Sequence, residues 1–309
     1  MVVWDFFCIF VKRIVMVQVW VFSKHTESEF ENKRLLESLD KKGITVKIVQ
    51  PDNFDIIVDK HIAEGILYNG ESIQLPKVVL VRTGSGTNNF MLALLRQLEK
   101  AGVLCINSAD PIEKVADKLQ ASQILSQHNI PIPNTMVVKY PVDEVIVKDR
   151  IGFPCVVKVV TGSYGKGVYL CERKRDFSKL MEFIKSLGTS KTLIVQEYLG
   201  QRPGEDLRVL VIGGKVIGAM KRIGPEGDFR ANITNGGTGE RYELTDEIDF
   251  IARETARVLN LHIAGIDLLF DEKGFRVCEA NSAPGFKGFE HYCDVNVADL
   301  IADYISYKL

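Results

Sequence analysis

The 309-residue sequence predicts a mixed fold, in which an N-terminal parallel α/β layer precedes an α+β part built on antiparallel sheets. Over the first third of the chain, short apolar strands alternate with helical patterns, which is typical of a parallel sheet covered by helices. After Pro154, tight glycine turns join the strands instead. The clearest is Gly213-Gly214 between Leu207–Ile212 and Val216–Met220, which indicates an antiparallel hairpin.

Composition and charge narrow the class of protein. An apolar fraction of 46% with 26% charged residues is typical of a globular chain that builds two or three cores, and it argues against disorder. Forty acidic against 39 basic side chains give a net charge of −1, so we expect neither nucleic acid nor a membrane as a partner. The 6 cysteines lack metal-ligand spacing, which argues against zinc and against a disulfide framework and favours the reducing cytoplasm.

Residues 1–15 are interpreted as an N-terminal extension, and whether they belong to the native protein is left open. The run from Met1 to Val11 is mostly apolar, but Asp5 interrupts it, and its basic residues follow the run, whereas a signal peptide carries them before it. About 11 residues are also too few to span a bilayer. Met16, just before the first strand, is an alternative start.

Residues 16–110 are expected to form the α/β layer. The spacing of apolar residues predicts a helix around Leu35 that Gly43 ends, and a second helix over Phe90–Leu98 that Gly102 ends. Runs of β-branched residues predict strands at Val17–Phe22, Ile44–Val49 and Val78–Val81.

The rest of the chain is expected to form two subdomains, 111–195 and 196–309. Asp110-Pro111 is predicted to begin a helix that carries Leu119. Further apolar patterns predict a strand at Pro154–Lys158, helices at 176–187 and 246–260, and a hairpin of Ile263–Phe270 with Phe275–Asn281.

A glycine-rich segment, Thr161–Gly167, follows the strand that ends at Lys158. Its glycines permit the backbone to approach phosphate oxygens closely, and Lys158 and Lys166 add positive charge. The segment is neither a Walker loop nor a dinucleotide fingerprint. From these residues alone, a phosphate-binding flap and a polar hairpin loop both stay open.

Three oxygen-bearing side chains on the last hairpin form a candidate metal site. Glu279 and Asn281 lie two apart on one strand and therefore face the same way, and Asp267 stands opposite Glu279 if Gly274 closes a three-residue turn. Two carboxylates and an amide oxygen suit Mg²⁺ that carries a polyphosphate. The alternative is a solvated polar face, which the apolar neighbours on both strands disfavour because they indicate burial.

A polar loop, Asp228–Gly237, lies between the glycine-rich segment and the last hairpin. Arg230 is predicted to engage a phosphate oxygen with its guanidinium fork, and Asn232 to reach the same metal and phosphate cluster. An exposed basic loop is the alternative interpretation.

The order of these motifs carries a resemblance. They are Lys158 with the glycine-rich segment, Val195-Gln-Glu-Tyr198, Glu205-Asp-Leu-Arg208, Gly227-Asp-Phe-Arg-Ala-Asn232, Ala264-Gly-Ile-Asp267 and Cys278-Glu-Ala-Asn-Ser-Ala-Pro-Gly285. From about Lys118 to the C-terminus the chain resembles the ATP-grasp superfamily, specifically its RimK-like branch of ATP-dependent glutamate ligases. The resemblance implies a pre-ATP-grasp domain at 16–110, followed by a two-lobed ATP-grasp fold with its flap in 111–195 and its metal site in 196–309.

The resemblance also implies roles for individual residues. It makes Lys118 and Lys158 phosphate ligands, and it makes Gly162, Ser163, Gly165, Lys166 and Gly167 the flap that closes over the phosphates. Gln196, Glu197 and Tyr198 match the segment that reads adenine, and Asp206 matches the acid that binds ribose. Arg230 and Asn232 match residues near the transferred phosphate. Magnesium, with manganese as an alternative, is assigned to Asp267, Glu279 and Asn281. The ribosomal-protein ligase of the family has a basic residue where Asn235 stands here, which leaves the acceptor substrate open.

The implied reaction joins two substrates at the expense of ATP. A substrate carboxylate attacks the γ-phosphate, and an amine, expected to be glutamate, then attacks the resulting acyl phosphate. Arg208 is the candidate for stabilising the oxyanion of that second step, with an ion pair to Glu205 or Asp206 as the alternative interpretation. Arg230 is the second catalytic candidate, beside the transferred phosphate.

Several functional alternatives accompany this prediction. A small carboxylate or peptide is the preferred acceptor, and the C-terminus of a ribosomal or other protein is the alternative. A non-catalytic nucleotide sensor would lack a metal ligand or a phosphate lysine, and none is missing. A kinase would need a catalytic-loop aspartate, and no HRD-like or DFG-like segment is present. A homo-oligomer, as a dimer or tetramer, is left open.

Overall fold

The computed structural model describes residues 17–59, 65–159, 167–186, 192–231 and 236–309. The strands are β1 (Val19–Phe22), β2 (Val46–Val49), β3 (Phe54–Ile56), β4 (Ile66–Tyr68), β5 (Glu71–Ser72), β6 (Val78–Val81), β7 (Leu104–Ile106), β8 (Thr135–Lys139), β9 (Cys155–Val159), β10 (Val168–Cys171), β11 (Thr192–Glu197), β12 (Glu205–Ile212), β13 (Lys215–Ile223), β14 (Thr238–Tyr242), β15 (Ile263–Asp271) and β16 (Gly274–Asn281). The helices are α1 (Phe30–Asp40), α2 (Asn89–Lys100), α3 (Ala109–Ala116), α4 (Lys118–Gln127), α5 (Glu144–Arg150), α6 (Lys174–Ser186), α7 (Asp246–Val258), α8 (Lys287–Cys293) and α9 (Val297–Lys308). Several predicted features lie outside the described residues, namely the extension 1–15, Gly162, Ser163, Gly165, Lys166, Asn232 and Asn235.

The first sheet is parallel and has the strand order β2-β1-β6-β7. Every residue of β1 is buried, because Val19 and Val21 share a core with α1 and α9, while Trp20 and Phe22 share another with α2. Burial on both faces explains why this strand is a continuous apolar run and not an alternating one. The three strands predicted for this layer are confirmed, although β1 and β2 begin later than predicted.

The second sheet is antiparallel, with the order β10-β9-β11-β8. Phe177, Met181 and Ile184 of α6 are buried in the same core as Cys155 and Val157 of β9, so this helix covers one face of the sheet. The predicted helix at 176–187 is confirmed as far as the described residues reach.

The third sheet is also antiparallel and has the order β14-β13-β12-β15-β16. Gly213 and Gly214 form the turn between β12 and β13 with φ values of +58° and +77°, which glycine adopts without steric penalty. Helix α7 shares a core with Leu207 and Val209, whereas Leu210 faces the opposite side, toward α8 and α9. Both predicted hairpins are confirmed, and the two faces of this sheet have different neighbours.

The helix predicted to begin at Asp110-Pro111 is wrong in its extent. The chain forms two helices, because the backbone of Asp117 is extended and its side chain caps α4 by accepting hydrogen bonds from the amides of Leu119 and Gln120, at 2.9 and 3.2 Å. Leu119 therefore belongs to α4. The small antiparallel sheet β3-β4-β5 was not predicted, since strands of two or three residues are too short to show alternation.

Asn107, which follows β7, ties the first sheet to the third. Its amide nitrogen donates to the carbonyls of Ile263 and Ser282, at 2.7 and 2.6 Å, and its oxygen accepts from the amides of His262 and Ile263, at 2.6 and 3.1 Å. The side chain is buried, with 1% exposure. Ser282 is the residue after Asn281, so this clamp fixes the chain next to a predicted metal ligand.

Replacing Asn107 by leucine is expected to lower the free energy of unfolding by about 3–5 kcal/mol, because four buried or partly buried backbone hydrogen bonds are lost together. Urea denaturation of the variant measures this loss. Ser108→Ala is the matched control at the next position, where the side chain forms no capping hydrogen bond, and it should change stability by less than about 0.5 kcal/mol. Equal stability of the two variants would contradict the clamp.

Candidate functional site

A row of charged residues crosses four strands on one face of the third sheet. The strand register sets Asp206 opposite Arg222, Arg208 opposite Asp267, and Asp267 opposite Glu279. Directly opposed side chains in antiparallel strands have Cβ atoms about 4.5–5.5 Å apart. Residues that are up to 73 positions apart in sequence therefore form one continuous row, on the face opposite α7.

The pairing of Asp267 with Glu279 is confirmed, but the predicted route to it is wrong. The turn between β15 and β16 has two residues, Glu272 and Lys273, since Asp271 pairs directly with Gly274. That turn alone would set Asp267 opposite Cys278. The register shifts after Asp267, leaving Cys278 as the extra residue of a β-bulge and moving Glu279 into the opposing position.

Two arginines and two aspartates of the row form a buried ionic network. Arg208 binds Asp267 through both Nε and Nη2, the latter at 2.7 Å from Oδ2. Arg222 binds both carboxylate oxygens of Asp206, at 2.6 and 2.5 Å, and its Nη2 also lies 2.9 Å from Asp267 Oδ2. The formal charges of the four groups cancel, which is the condition for burying them at tolerable cost. Arg208 thus pairs with Asp267, and not with either partner of the alternative interpretation.

The pKa values of the two carboxylates in the network are shifted in opposite directions. Burial raises the pKa of Asp206 to about 6, against the attraction of Arg222. Burial also acts to raise the pKa of Asp267, but Arg208 and Arg222 together hold it below its ordinary value. Asp267 is therefore the carboxylate of the pair that stays ionised at neutral and mildly acidic pH.

Two lysines approach the row from the second sheet and from α4. Lys118, the first residue of α4, donates to Glu279 Oε1 at 2.8 Å. Lys158, near the end of β9, donates to Gln196 Oε1 at 2.7 Å, and its Nζ lies 3.9 Å from Cys278 Sγ. These residues line a cleft between the second and third sheets. Its apolar walls come from Val115, Leu125, Ile194 and Ala280.

The segment predicted to read adenine ends β11 at the edge of this cleft. Gln196 is buried, and its side-chain nitrogen donates to Thr135 Oγ1 at 2.9 Å. The carboxylate of Glu197 accepts from the backbone and side-chain nitrogens of Asn134, at 2.7 and 2.9 Å, so this side chain is engaged within the protein. Tyr198 lies edge-on to Phe229, with ring centroids 6.3 Å apart. The adenine contact predicted for this segment would therefore fall to its backbone groups, and it stays a prediction.

The structure does not bring every predicted residue into the row. Arg230 pairs with Asp228, with its Nη2 at 2.8 Å from Oδ2, and its side chain is 39% exposed. Asn281 faces Gly265, and its side-chain nitrogen lies 3.4 Å from the carbonyl of that residue. Gly167 is described just before β10, and no contact with the row is found for it among the described residues. The roles predicted for these residues stay predictions.

Arg222 was expected to lie near the site, but the sequence assigned it no role and no partner. A two-residue turn at Gly213-Gly214 would pair Asp206 with Lys221, but a bulge between Leu210 and Val211 shifts the register and brings Arg222 opposite Asp206. An acidic and a basic residue alternate in Asp206-Leu-Arg208, and this pattern predicts ion pairs across the strands. It does not identify the residues on the neighbouring strands that form those pairs.

The donor set fits a metal that arrives with its own ligands. Within the described ranges, no group of three or more His, Cys, Asp or Glu side chains is placed to hold a metal ion. Asp267 and Glu279 supply two carboxylates, Asn281 an amide oxygen, and the surrounding lysines and arginines favour phosphate. Mg²⁺ is commonly bound by one or two carboxylates together with substrate phosphates and water, so these residues fit a magnesium nucleotide.

Comparisons with known proteins show which family the chain resembles. The family model described as a RimK-like ATP-grasp domain matches residues 115–305, and the RimK PreATP-grasp domain matches residues 17–112. Proteins named "Probable alpha-L-glutamate ligase" from Maridesulfovibrio salexigens and Aliivibrio fischeri are 33% and 34% identical, over 94% of this chain and 95% of each relative. The ATP-grasp ligase PsnB, solved with a precursor variant, Mg and ADP, superposes with a TM-score of 0.72 at 21% identity, covering 95% of this chain and 98% of PsnB; this likeness bears on the fold alone. None of the helices in the described ranges is long and apolar enough to cross a membrane.

Proposed function

The chain belongs to the RimK-like ATP-grasp family, and from that premise we propose that it joins a carboxylate to the amine of L-glutamate through an acyl phosphate. It is an ATP-dependent ligase. The observation that carries the proposal is the cleft in which Lys118 and Lys158 face the carboxylate row at Glu279. The division into residues 16–110, 111–195 and 196–309 remains part of the proposal.

The residues of the cleft would bind and orient the nucleotide. Lys118 and Lys158 would contact its phosphates, and the backbone of 196–198 its adenine. Asp267, Glu279 and Asn281 would hold Mg²⁺ or Mn²⁺, which when bound neutralises charge on the phosphates. PsnB, a protein of the same fold, was solved with Mg and ADP, which supports the choice of a magnesium nucleotide as the bound molecule. In the present structure Asp206 is engaged by Arg222, so its role as a ribose ligand requires an exchange of partners.

The chemistry asks the protein for positioning and charge, not for a nucleophilic side chain. An oxygen of the acceptor carboxylate attacks the γ-phosphorus, and the bond from that phosphorus to the bridging oxygen breaks to release ADP. The amine nitrogen of glutamate then attacks the acyl carbon, loses a proton, and inorganic phosphate leaves. Arg208 binds Asp267 through Nε and Nη2, and no partner of its Nη1 is found among the described residues, so Nη1 would donate to the oxyanion of the second step. Arg230 would assist at the transferred phosphate.

The acceptor is proposed to be a small carboxylate or a short peptide. Four basic residues, Lys221, Arg222, Arg230 and Arg241, are expected to lie in or near the row. Lys221 pairs with Glu240 at 2.6 Å and Arg222 with Asp206, which reduces the positive charge available to a long acidic tail. The C-terminus of a ribosomal or other protein is the alternative acceptor. The glutamate ligase relatives and a peptide-bound neighbour, PsnB with its precursor, are compatible with either.

Mass spectrometry of products tests the proposal. The purified protein would be incubated with ATP, Mg²⁺ and glutamate against a panel of acidic metabolites, short peptides and ribosomal-protein C-termini. We expect one glutamate added to a small acceptor, with phosphate release that needs both the acceptor and the amine. Repeated additions to a protein tail would favour the alternative acceptor. ATP hydrolysis that is indifferent to amines would contradict the ligase assignment, and absence of turnover with tight ATP binding would favour a sensor.

A further inference from the structure

Positive side chains of the protein already bind the two carboxylates that are predicted to hold the metal. Glu279 Oε1 accepts a hydrogen bond from Lys118 Nζ at 2.8 Å. Asp267 is bound by Arg208 through Nε and Nη2, and its Oδ2 also lies 2.9 Å from Nη2 of Arg222. A divalent cation placed on these oxygens would therefore lie next to a positive group, and like charges at such short range repel each other.

The charges around these carboxylates leave no excess negative charge for a free cation. The row and the lysine at its end carry three positive and three negative groups, which are Lys118, Arg208, Arg222, Asp206, Asp267 and Glu279. Lys158 adds a further positive charge beside them, with its Nζ 3.9 Å from Cys278 Sγ. Mg²⁺ gives up its hydration water reluctantly, so a site without net negative charge should not bind the ion alone.

The ion pair of Lys118 with Glu279 is more easily exchanged than that of Arg208 with Asp267. The side chains of Lys118 and Glu279 are 22% and 39% exposed, and one hydrogen bond joins them. Those of Arg208 and Asp267 are 15% and 7% exposed, and two hydrogen bonds join them. Partly exposed ion pairs contribute little to stability, and a lysine ammonium is a point charge on a flexible stem. Lys118 can therefore leave Glu279 at little cost when another anion is offered.

The cleft determines which anion can be offered. Lys118, Lys158 and Glu279 all line it, so a single ligand in the cleft reaches both the lysines and the carboxylate. A polyphosphate that carries Mg²⁺ brings an anion for the lysines and a cation for the carboxylate in the same molecule. Lys118 then gains a phosphate partner when Glu279 gains the metal, and neither charge is left without a partner.

We propose that Lys118 closes the metal site to free divalent cations, and that a polyphosphate opens it by drawing the lysine away from Glu279. The inference rests on the proposed function, because it takes Lys118 as a phosphate ligand and Glu279 as a metal ligand. It makes Lys118 a determinant of specificity, through which the site binds the complex of metal and nucleotide and rejects the free metal. Metal and nucleotide must then raise each other's affinity by the same factor, since coupling between two ligands is reciprocal.

Electron paramagnetic resonance of Mn²⁺ tests the proposal, because the spectrum reports the concentration of the free ion. Mn²⁺ would be titrated into the full chain without nucleotide. We expect wild type to bind it with a Kd above about 1 mM, and Lys118→Met to bind it at least about tenfold more tightly, since the substitution frees Glu279 and removes one positive charge. Lys118→Gln, which keeps a polar side chain, should behave as Lys118→Met does. Lys118→Arg keeps the charge and should bind Mn²⁺ as weakly as wild type.

Two further variants locate the effect. Lys118→Met combined with Glu279→Gln should lose the added affinity, because the bound ion then lacks the carboxylate that the first substitution freed. Lys114→Met is the matched control, since Lys114 also binds a carboxylate, that of Asp110 at 2.6 Å, but both residues belong to α3. This control should bind Mn²⁺ as weakly as wild type.

The inference and the proposed function fail in different ways. Nucleotide-free wild type that binds Mn²⁺ as tightly as Lys118→Met and Lys118→Gln would overturn the inference, and so would added affinity that survives Glu279→Gln. Failure of wild type to bind a non-hydrolysable ATP analogue in the presence of Mg²⁺, measured by calorimetry, would instead overturn the proposed function.

Discussion

Replacing Glu279 by glutamine is expected to lower the rate of ATP-dependent ligation by more than about 100-fold while the fold stays intact. Loss of residues that only support a metal ligand typically costs 10–100-fold, so loss of a ligand charge itself should cost more. The amide has no charge for Mg²⁺ and none for Lys118, which now donates to Glu279 at 2.8 Å. The side chain is 39% exposed, so the exchange leaves no uncompensated buried group.

Phosphate release at saturating ATP and acceptor measures this effect, and thermal unfolding reports the fold. The matched control is Glu272→Gln, at the exposed turn of the same β15-β16 hairpin, which should keep wild-type activity. Raising the Mg²⁺ concentration should partly restore the activity of Glu279→Gln, since the defect lies in metal binding. Full activity of Glu279→Gln at ordinary Mg²⁺ would exclude the residue as a metal ligand.

Replacing Asp267 by asparagine is expected to lower the free energy of unfolding by about 3–5 kcal/mol. Asp267 is 5% exposed and accepts hydrogen bonds from both Arg208 and Arg222. Its removal leaves two buried guanidinium groups with only Asp206 to balance them. The cost of burying the second guanidinium charge is then not offset by any carboxylate.

Urea denaturation measures this loss, with activity normalised to the folded fraction so that the two effects stay separate. Asp249→Asn is the control, because Asp249 forms a surface ion pair with Arg253 at 3.3 Å on α7. Such pairs contribute about 0.2–1 kcal/mol, so the control should lose no more than that. If Asp267→Asn were as stable as the control, the buried network would not be a determinant of the fold.

Much of the architecture follows from local sequence patterns. The apolar run of β6 and the paired glycines at 213 and 214 specify their elements through short-range sterics and burial, and both predictions are confirmed. The family and the fold class, predicted from the order of the motifs, are confirmed by the two domain matches that together span residues 17–112 and 115–305. The break between α3 and α4 at Asp117 was missed, since capping competes there with an uninterrupted apolar pattern.

The sequence alone determined which residues are predicted to carry the chemistry, because residue types, their order along the chain and the resemblance single out Asp267, Glu279 and the two lysines. The tertiary structure alone decided how they pair. One bulge near Leu210 exchanges Lys221 for Arg222 opposite Asp206, and another at Cys278 brings Glu279 opposite Asp267. A shift of one residue in the register turns a side chain to the other face of a sheet. The packing of the two faces selects the register, and no local pattern in the hairpin encodes that packing.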